Sequence, residues 1–402
     1  MNAITLAAPA ERRDWIDILG LVLLIGFAGA LQLSIAVADI LLTLTLLAWA
    51  ALLATRRARP EVPRFFWPLA LYAAATLVAS AFSVDPRTSF VDSKQLVLFL
   101  IVPAVYQLAR GSRASLVVQV IVTVGAATAA FGIIQYAMLE FNHLGQRPQG
   151  SMGHYMTYSG LLMLVVCASV ARVLFDREDR VWPALVMPAL LVALALTLSR
   201  SAWVGACAGV ALLLALKDFK LLVILPAVAA LFFAIAPAGV MDRFYSMFDP
   251  HDPTRRDRVA MMHAGLNMVR ADPLTGVGPN MVQPLYARYR DPNAVERVNP
   301  HLHNVPLQIA AERGIPALLI WLGFTVLTAA ELLRMVRARR QLCLASIGLA
   351  AIVAMVAAGM FEYNFGDSEF LMLFLVLITL PFAAEQPALS EVEGPDSAPH
   401  RA

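Results

Sequence analysis

Long apolar runs alternate with short charged or Pro/Gly-rich breaks from one end of the chain to the other. A helix needs roughly 20 apolar residues to cross a bilayer. On that measure the pattern predicts about twelve membrane-spanning helices, at 16–32, 35–55, 65–82, 95–109, 116–139, 160–175, 181–198, 202–216, 221–240, 305–330, 342–360 and 370–384. Ala28-Gly29-Ala30 has the small residues of a signal-peptidase site, but a second apolar run follows at once, so the first span is expected to be retained. One long polar segment interrupts the series, residues 241–304. Within it Asp252-Pro253-Thr254 is a helix start with Pro in the first turn. Val259, Met262, Leu266 and Val269 then recur at helical spacing, and Asp272-Pro273 and Gly276-Val277-Gly278-Pro279 end the pattern. A second short helix is expected to carry Tyr286, Arg288 and Arg290, and the whole segment to lie back on the membrane as a lid.

Composition strengthens this reading. Of 402 residues, 59% are hydrophobic and only 15% charged, with a mean hydropathy of +0.70. A soluble domain carries about 25% charged residues. The expected fold class is therefore all-α, a polytopic integral membrane protein whose long outer loop contains short helices. A net charge of +3, spread as short clusters between apolar runs, excludes a nucleic-acid partner and leaves the bilayer as the surrounding partner. Cys167, Cys207 and Cys343 lie singly in apolar runs and read as small buried hydrophobes.

Charge also orients the chain. The basic loops 56–59, 110–113, 217–220 and 334–340 fall on one side by parity, which the positive-inside rule makes cytoplasmic, with both termini inside. The acidic turn Glu362, Asp367 and Glu369 then faces outward, as do the loop 140–159, the turn Ser199-Arg200-Ser201 and all of 241–304. The chain divides into N-terminal spans (1–139), a motif-bearing region (140–330), C-terminal spans (331–384) and a Pro-, Ser- and Glu-rich tail (385–402) expected to be disordered and cytoplasmic.

Candidate chemistry gathers on the outer side. Arg200 stands in a tight turn between two apolar runs, beside Trp203; an interfacial anchor is the plain reading, and a two-pronged phosphate ligand the functional one. Arg255 and Arg258, three residues apart, share a helix face and add cationic character. His301-Leu302-His303-Asn304 stands where the long loop re-enters the membrane. An imidazole there suits a general base, and Asn304 can orient either substrate or ring. A metal site would need further ligands, and none is near in sequence. Arg147 opens the Gly-containing stretch to His154, whose glycines suit either a close backbone approach or a turn. Glu312 and Arg313 are expected to pair with each other, and Gly276-x-Gly278 to form a turn.

The order Ser-Arg-Ser-Ala-Trp (199–203), Arg258 near the start of a helix ending in Asp-Pro-Leu-x-Gly-Val-Gly-Pro (272–279), His-x-His-Asn (301–304) and Glu-Arg-Gly (312–314) resembles the O-antigen ligase/polymerase superfamily. The resemblance spans roughly 140–330 by motif. It implies a metal-independent inverting glycosyltransferase that needs no cofactor. It further implies an undecaprenyl-pyrophosphate-linked glycan donor and an acceptor that is lipid A–core, a growing glycan or a protein hydroxyl, lipid A–core being the first expectation. Residue by residue it makes Arg200, Arg258 and His303 catalytic. Arg255, Arg147, His301 and Asn304 are expected from their own positions to bind substrate; His301 is extra to the family pattern, and which of the two histidines acts stays open. Met262 stands where the family often has Trp. The implied location is the bacterial inner membrane, with the active site facing the periplasm. A transporter is the reading from another class, but it calls for mid-span charges and two similar halves, and the sequence offers neither.

Overall fold

The structure is a computed structural model that describes residues 15–55, 60–249, 252–292 and 294–387. The basic cluster 56–59, the stretch Glu11-Arg12-Arg13 and the tail from 388 onward lie outside the described residues. Within them the chain is helical throughout, without strands. The helices are α1 Trp15–Ala30, α2 Ile35–Ala54, α3 Phe66–Ala81, α4 Pro86–Asp92, α5 Ile101–Leu108, α6 Arg113–Met138, α7 Tyr155–Phe175 and α8 Val181–Leu196. They continue with α9 Arg200–Lys217, α10 Ile224–Ile235, α11 Ala238–Tyr245, α12 Pro253–Ala271, α13 Val282–Tyr289, α14 Val305–Arg337, α15 Leu342–Gly359 and α16 Ser368–Ala384.

Each apolar run expected to span is largely helical, but 95–109 enters α5 from a 3-10 segment and 221–240 breaks at Ala236-Pro237 between α10 and α11. Among the described residues seven segments are long and apolar enough to cross a membrane: α2, the continuous stretch Pro86–Leu108, α6, α7, α9, α14 and α15. The other five runs form shorter apolar helices, at α1, α3, α8, Phe219–Ala230 and α16. The helix surfaces are those of a protein bathed in hydrocarbon. On α2, Val37, Ile40, Leu44 and Leu47 point outward while Ala38, Leu42, Thr45 and Ala48 are buried. A large apolar outer face of this kind is costly in water and free of cost in lipid. Cys207 departs from the expectation of burial: it is exposed, on the outer flank of α9, where an apolar side chain has no need of a core.

The centre of the bundle is α7, α9, α15 and α16, with α14 packed on α3 and α15. Gly205 of α9 permits the tight α9–α15 approach, because a Cβ there would meet the Ala354 carbonyl at 2.8 Å. All five of these helices run between the same two ends. One end carries the basic loops and ties them together: Arg110 faces Glu61, Gly111 N–H donates to the Ala383 carbonyl, and Arg340 forks onto Glu385. The first residues of the expected tail are thus held in place, with Gln386 bonded to Tyr106. The other end gathers Tyr155, Arg200, Val305, Gly359 and Ser368, the termini that build the candidate site.

Segment 241–304 folds against that second end. α12 begins at its Asp252 cap, with Pro253 in the first turn, and stops at Asp272-Pro273 as the sequence implies. Its buried stripe is Met261, Ala264 and Met268, which form a small core with Tyr286, Leu302 and Ala311. Of the stripe singled out by periodicity, Val259, Met262 and Leu266 are exposed instead, and only Val269 is partly buried against that core. Gly276 and Gly278, both in left-handed backbone, lay the loop on α14: Val277 and Gly278 N–H donate to the Ala311 and Glu312 carbonyls at 2.9 and 3.0 Å. A Cβ on Gly276 would collide with the Glu312 backbone, and one on Gly278 with Ser83. Here the α14 backbone kinks at Gly314, and Arg313 pairs with Glu312 at 2.7 Å, both buried. The Gly-Val-Gly and Glu-Arg-Gly stretches are therefore two halves of one backbone clamp.

Candidate active site

The turn between α8 and α9 is built on a strained residue. Leu198 is left-handed (φ 54°), an uncommon state for a branched residue, and its buried side chain packs with Leu196 and Val240 to hold it. The turn delivers Arg200 inward, 8% exposed. Its Nη1 donates to the Ser246 carbonyl and hydroxyl, both at 3.3 Å, and its Nη2 stands 3.5 Å from Asp252 Oδ1. The buried Arg200 Nε has no hydrogen-bond partner among the described residues. An interfacial anchor would reach toward headgroups; this guanidinium is fixed inside the protein with a donor unused.

Asp252 connects Arg200 to α12. Its side chain accepts from Arg255 N–H at 3.0 Å, capping the helix, while it faces Arg200. Burial works against ionising Asp252, but that N–H and the Arg200 charge outweigh it and hold the carboxyl below its usual range. One turn on, Arg258 enters the same space, while Arg256 is exposed on the opposite flank. Two further arginines join them. Arg147 lies over the Tyr155 ring at 3.9 Å, with Nε bonded to the Leu144 carbonyl. Arg243 of α11, which the sequence reading passed over, donates Nε to the Leu198 carbonyl at 3.3 Å. Burial lowers the pKa of Arg147, Arg243 and Arg258, and for Arg243 the neighbouring Arg200 and Arg147 charges help bring it to about 10. Arg147, Arg200, Arg243 and Arg258 share one cavity of about 220 Å³. So much like charge facing one space invites an anion.

His303 stands at the edge of that cavity, itself in left-handed backbone (φ 48°). Its Nδ1 is 2.8 Å from Glu362 Oε1, an oxygen that also accepts Tyr363 N–H at 3.0 Å. Burial alone would favour protonated Glu362. The His303 contact, the Tyr363 N–H and the Arg258 charge reverse that and keep the carboxyl below its ordinary range. An ionised oxygen can only accept, so Nδ1 carries the hydrogen, and in the neutral ring Nε2 presents its lone pair. Glu362 is the acid the sequence reading used only for topology.

The other expected residues take distinct places. Arg255 lines a second cavity of about 410 Å³ with Arg200, Arg258, His303 and the apolar Val259, Met262, Leu307 and Phe361. Met262, the departure from the family pattern, is a wall of this groove. Asn304 is occupied structurally: it caps α14 by accepting Leu307 N–H at 2.9 Å and donates to the Met360 carbonyl at 3.1 Å, though it too lines the groove. His301 stacks near Tyr363 at 5.3 Å and lines a third cavity. Burial, followed by the neighbouring His303, lowers its pKa and favours the neutral ring. Among the described residues no group of three His, Cys, Asp or Glu side chains converges as a metal-ligand set.

Residues 185–322 match the family model described as O-antigen ligase. That match supports the O-antigen ligase superfamily. The O-antigen ligase match runs from α8 into α14, about a third of the chain, and contains Arg200, Arg243, Arg255, Arg258, His301, His303 and Asn304. Arg147 and Glu362 reach the same cavity from outside the matched segment. No curated protein matches the chain. Helices and family together describe a multi-pass membrane glycosyltransferase of the O-antigen ligase/polymerase type, acting on lipid-linked glycans.

Proposed function

We propose that this protein transfers a glycan from undecaprenyl pyrophosphate to a hydroxyl of lipid A–core, on the periplasmic face of the inner membrane and with both termini in the cytoplasm. One observation carries the proposal: four arginines and a carboxylate-held imidazole line the same cavity. Arg200 and Arg258 bind the diphosphate, and Arg147 and Arg243 extend the cationic field. The acceptor hydroxyl oxygen attacks the anomeric carbon, and the bond from that carbon to the diphosphate oxygen breaks. The electron pair leaves with the diphosphate, where the guanidinium groups stabilise the developing charge. The proton passes from the hydroxyl to His303 Nε2, with Glu362 holding the ring in the accepting tautomer and stabilising the imidazolium. Attack opposite the leaving group inverts the anomeric configuration, and the arginines serve the diphosphate without a metal. Arg255 and Asn304 contribute to the mouth of the apolar groove beside it.

The test is purified enzyme with carrier-linked donor and lipid A–core acceptor, assayed with and without EDTA. The expected result is EDTA-resistant transfer that His303→Ala abolishes and His301→Ala only weakens. An active His303→Ala enzyme, or activity lost to chelator and restored by Zn²⁺, refutes the mechanism. In cells, deletion should leave lipid A–core without long glycan while carrier-linked glycan accumulates; lipopolysaccharide bearing a single repeat would point to a polymerase instead.

A further inference from the structure

The third cavity, about 350 Å³, adjoins the arginine cavity through shared walls at Met156, Ser199, Ser201, His303 and Glu362. It is closed by the ends of α7, α9, α15 and α16, the rigid centre of the bundle. It differs in kind from the other two. No Lys or Arg lines it, whereas Arg200 and Arg258 line both of the others. A diphosphate would gain nothing there. Its walls present hydrogen-bonding groups fixed by their own contacts. Asp367 accepts from Thr157 Oγ1 at 2.5 Å and from Phe370 N–H at 2.9 Å. Asn364, 6% exposed, donates to the Met355 carbonyl but leaves its buried Oδ1 without a partner among the described residues. Tyr363 and Phe370 add aromatic surface.

We infer that this cavity is the acceptor site and that it takes the sugar ring bearing the attacking hydroxyl. Carboxylate, amide and hydroxyl groups beside aromatic faces suit a neutral, hydroxyl-rich ring with apolar C–H patches. The volume lies in the usual range for small-molecule sites, roughly 300–1,000 Å³. Position completes the argument. His303 and Ser201 are the two residues that line all three cavities, and Glu362 lines both the acceptor cavity and the arginine cavity. An acceptor in the arginine-free cavity therefore meets a donor in the arginine-lined one beside His303. There His303 can take the hydroxyl proton as the oxygen attacks the anomeric carbon, while the diphosphate departs toward the arginines. The inference rests on the function proposed above.

The experiment separates the two sites with full-length purified enzyme and two readouts: the Kd for undecaprenyl pyrophosphate alone, and transfer rate against the concentration of rough lipopolysaccharide. Two variants are compared with wild type. Asp367→Asn keeps an oxygen for the Phe370 N–H but removes the charge. His154→Trp crowds the cavity mouth from an exposed position whose side chain caps no helix. Both should raise the acceptor KM about tenfold, the size of one charge-assisted hydrogen bond, with the undecaprenyl pyrophosphate Kd within about twofold of wild type. A Kd that weakens in step with KM, or an acceptor KM unchanged in both variants, overturns the acceptor site and leaves the proposed function standing. A serine peptide that replaces rough lipopolysaccharide as the acceptor overturns the assignment to a sugar. Wild-type enzyme that does not bind undecaprenyl pyrophosphate overturns both readings together.

Discussion

Glu362 is the residue on which the proposed chemistry can be tested most finely, because its two obvious substitutions remove different things. One oxygen, Oε1, serves both His303 Nδ1 and Tyr363 N–H. Glu362→Gln can leave a carbonyl oxygen in that place, so the ring orientation and tautomer survive and only the charge is lost. A hydrogen bond to a charged group contributes about 1.5–3 kcal/mol, and a neutral one about 0.5–1.5 kcal/mol. The difference, roughly 1–1.5 kcal/mol, corresponds to about a tenfold fall in turnover. Glu362→Ala removes the acceptor altogether, freeing the imidazole and leaving the Tyr363 N–H unpaired. Loss of the orienting carboxylate in an analogous Asp–His pair costs up to about 10⁴-fold, so a loss of a hundredfold or more is expected. The assay is initial-rate transfer by purified enzyme at saturating donor and acceptor, with membrane levels matched. Wild-type turnover in Glu362→Ala would remove Glu362 from the mechanism, and a Gln variant as inactive as Ala would show that charge, not orientation, is what the carboxylate supplies.

The same residue sets a stability prediction with a definite sign. Its carboxyl is held below the ordinary value of 4.5, so the stabilisation is present above about pH 4.5 and is lost as pH falls through the lower folded-state pKa. Thermal unfolding midpoints of wild type and Glu362→Gln should therefore run parallel from neutrality to about pH 4.5 and converge below it. Convergence near neutral pH would mean that Glu362 is not ionised in the folded protein.

The remaining predictions concern the cation cluster, the loop clamp and the topology. Arg200→Lys and Arg258→Lys keep the charge but lose the two-pronged donor, so each should reduce transfer at least a hundredfold, about 2.7 kcal/mol or more, while Arg256→Ala stays near wild type; equal tolerance of all three would mark them as surface charge. Gly276→Ala and Gly278→Ala force a Cβ into the Glu312 backbone and Ser83 in left-handed conformations, costing about 1–3 kcal/mol each for the backbone alone. Both should lower the unfolding midpoint by several degrees, whereas Gly323→Ala, with open space around its Cβ, should not. A reporter fused after residue 295 should be active only as a periplasmic fusion and one after 340 only as a cytoplasmic fusion; reversal of both places the site on the wrong side for a carrier-linked donor.

The helices were legible because bilayer-spanning segments announce themselves by length and hydropathy, properties of one contiguous stretch. The cap at Asp252-Pro253 was legible for the same reason, since it acts on the three residues that follow it, whereas Asn304, expected to orient substrate or ring, is the cap of α14. Arg200 and His303 stood out as polar residues at the margins of apolar runs and Arg258 by the helix face it shares with Arg255, and the structure brings the three to one cavity. What escaped was whatever depended on distant pairing. Glu362 meets His303 from 59 residues away. Arg243 sits in an ordinary amphipathic turn, and only the fold carries it back to the Leu198 carbonyl. The face of α12 escaped because periodicity finds a stripe but not its environment. Val259, Met262 and Leu266 make a sound apolar stripe, yet the helix buries the adjacent one, where the smaller Ala264 allows Leu302 and Tyr286 to close in.

Strain and charge concentrate at one end of the bundle for a physical reason. A hydroxyl must be deprotonated beside a basic group while a diphosphate leaves beside several cations, and these environments disfavour one another at close range. Four guanidinium groups would draw a mobile carboxylate into their own cavity and quench it. The fold limits this by holding each nearby acid in contacts of its own: Asp252 at a helix cap, Asp257 on Glu296 N–H and Asn299, Glu362 between His303 and Tyr363 N–H, Asp367 at the start of α16. The two non-glycine residues forced into left-handed backbone at the site, Leu198 and His303, are the ones that set the positions of Arg200 and of the imidazole. Each conformation costs of order 1–3 kcal/mol and persists only where the surroundings over-determine it. Leu198 is held by the packing of Leu196 and Val240, and His303 by Glu362 on one side and the Asn304 cap on the other. The strain places the imidazole where the arginine-free cavity and the arginine-lined one adjoin, so a hydroxyl held in the first can give up its proton as it attacks a donor whose diphosphate leaves toward the second.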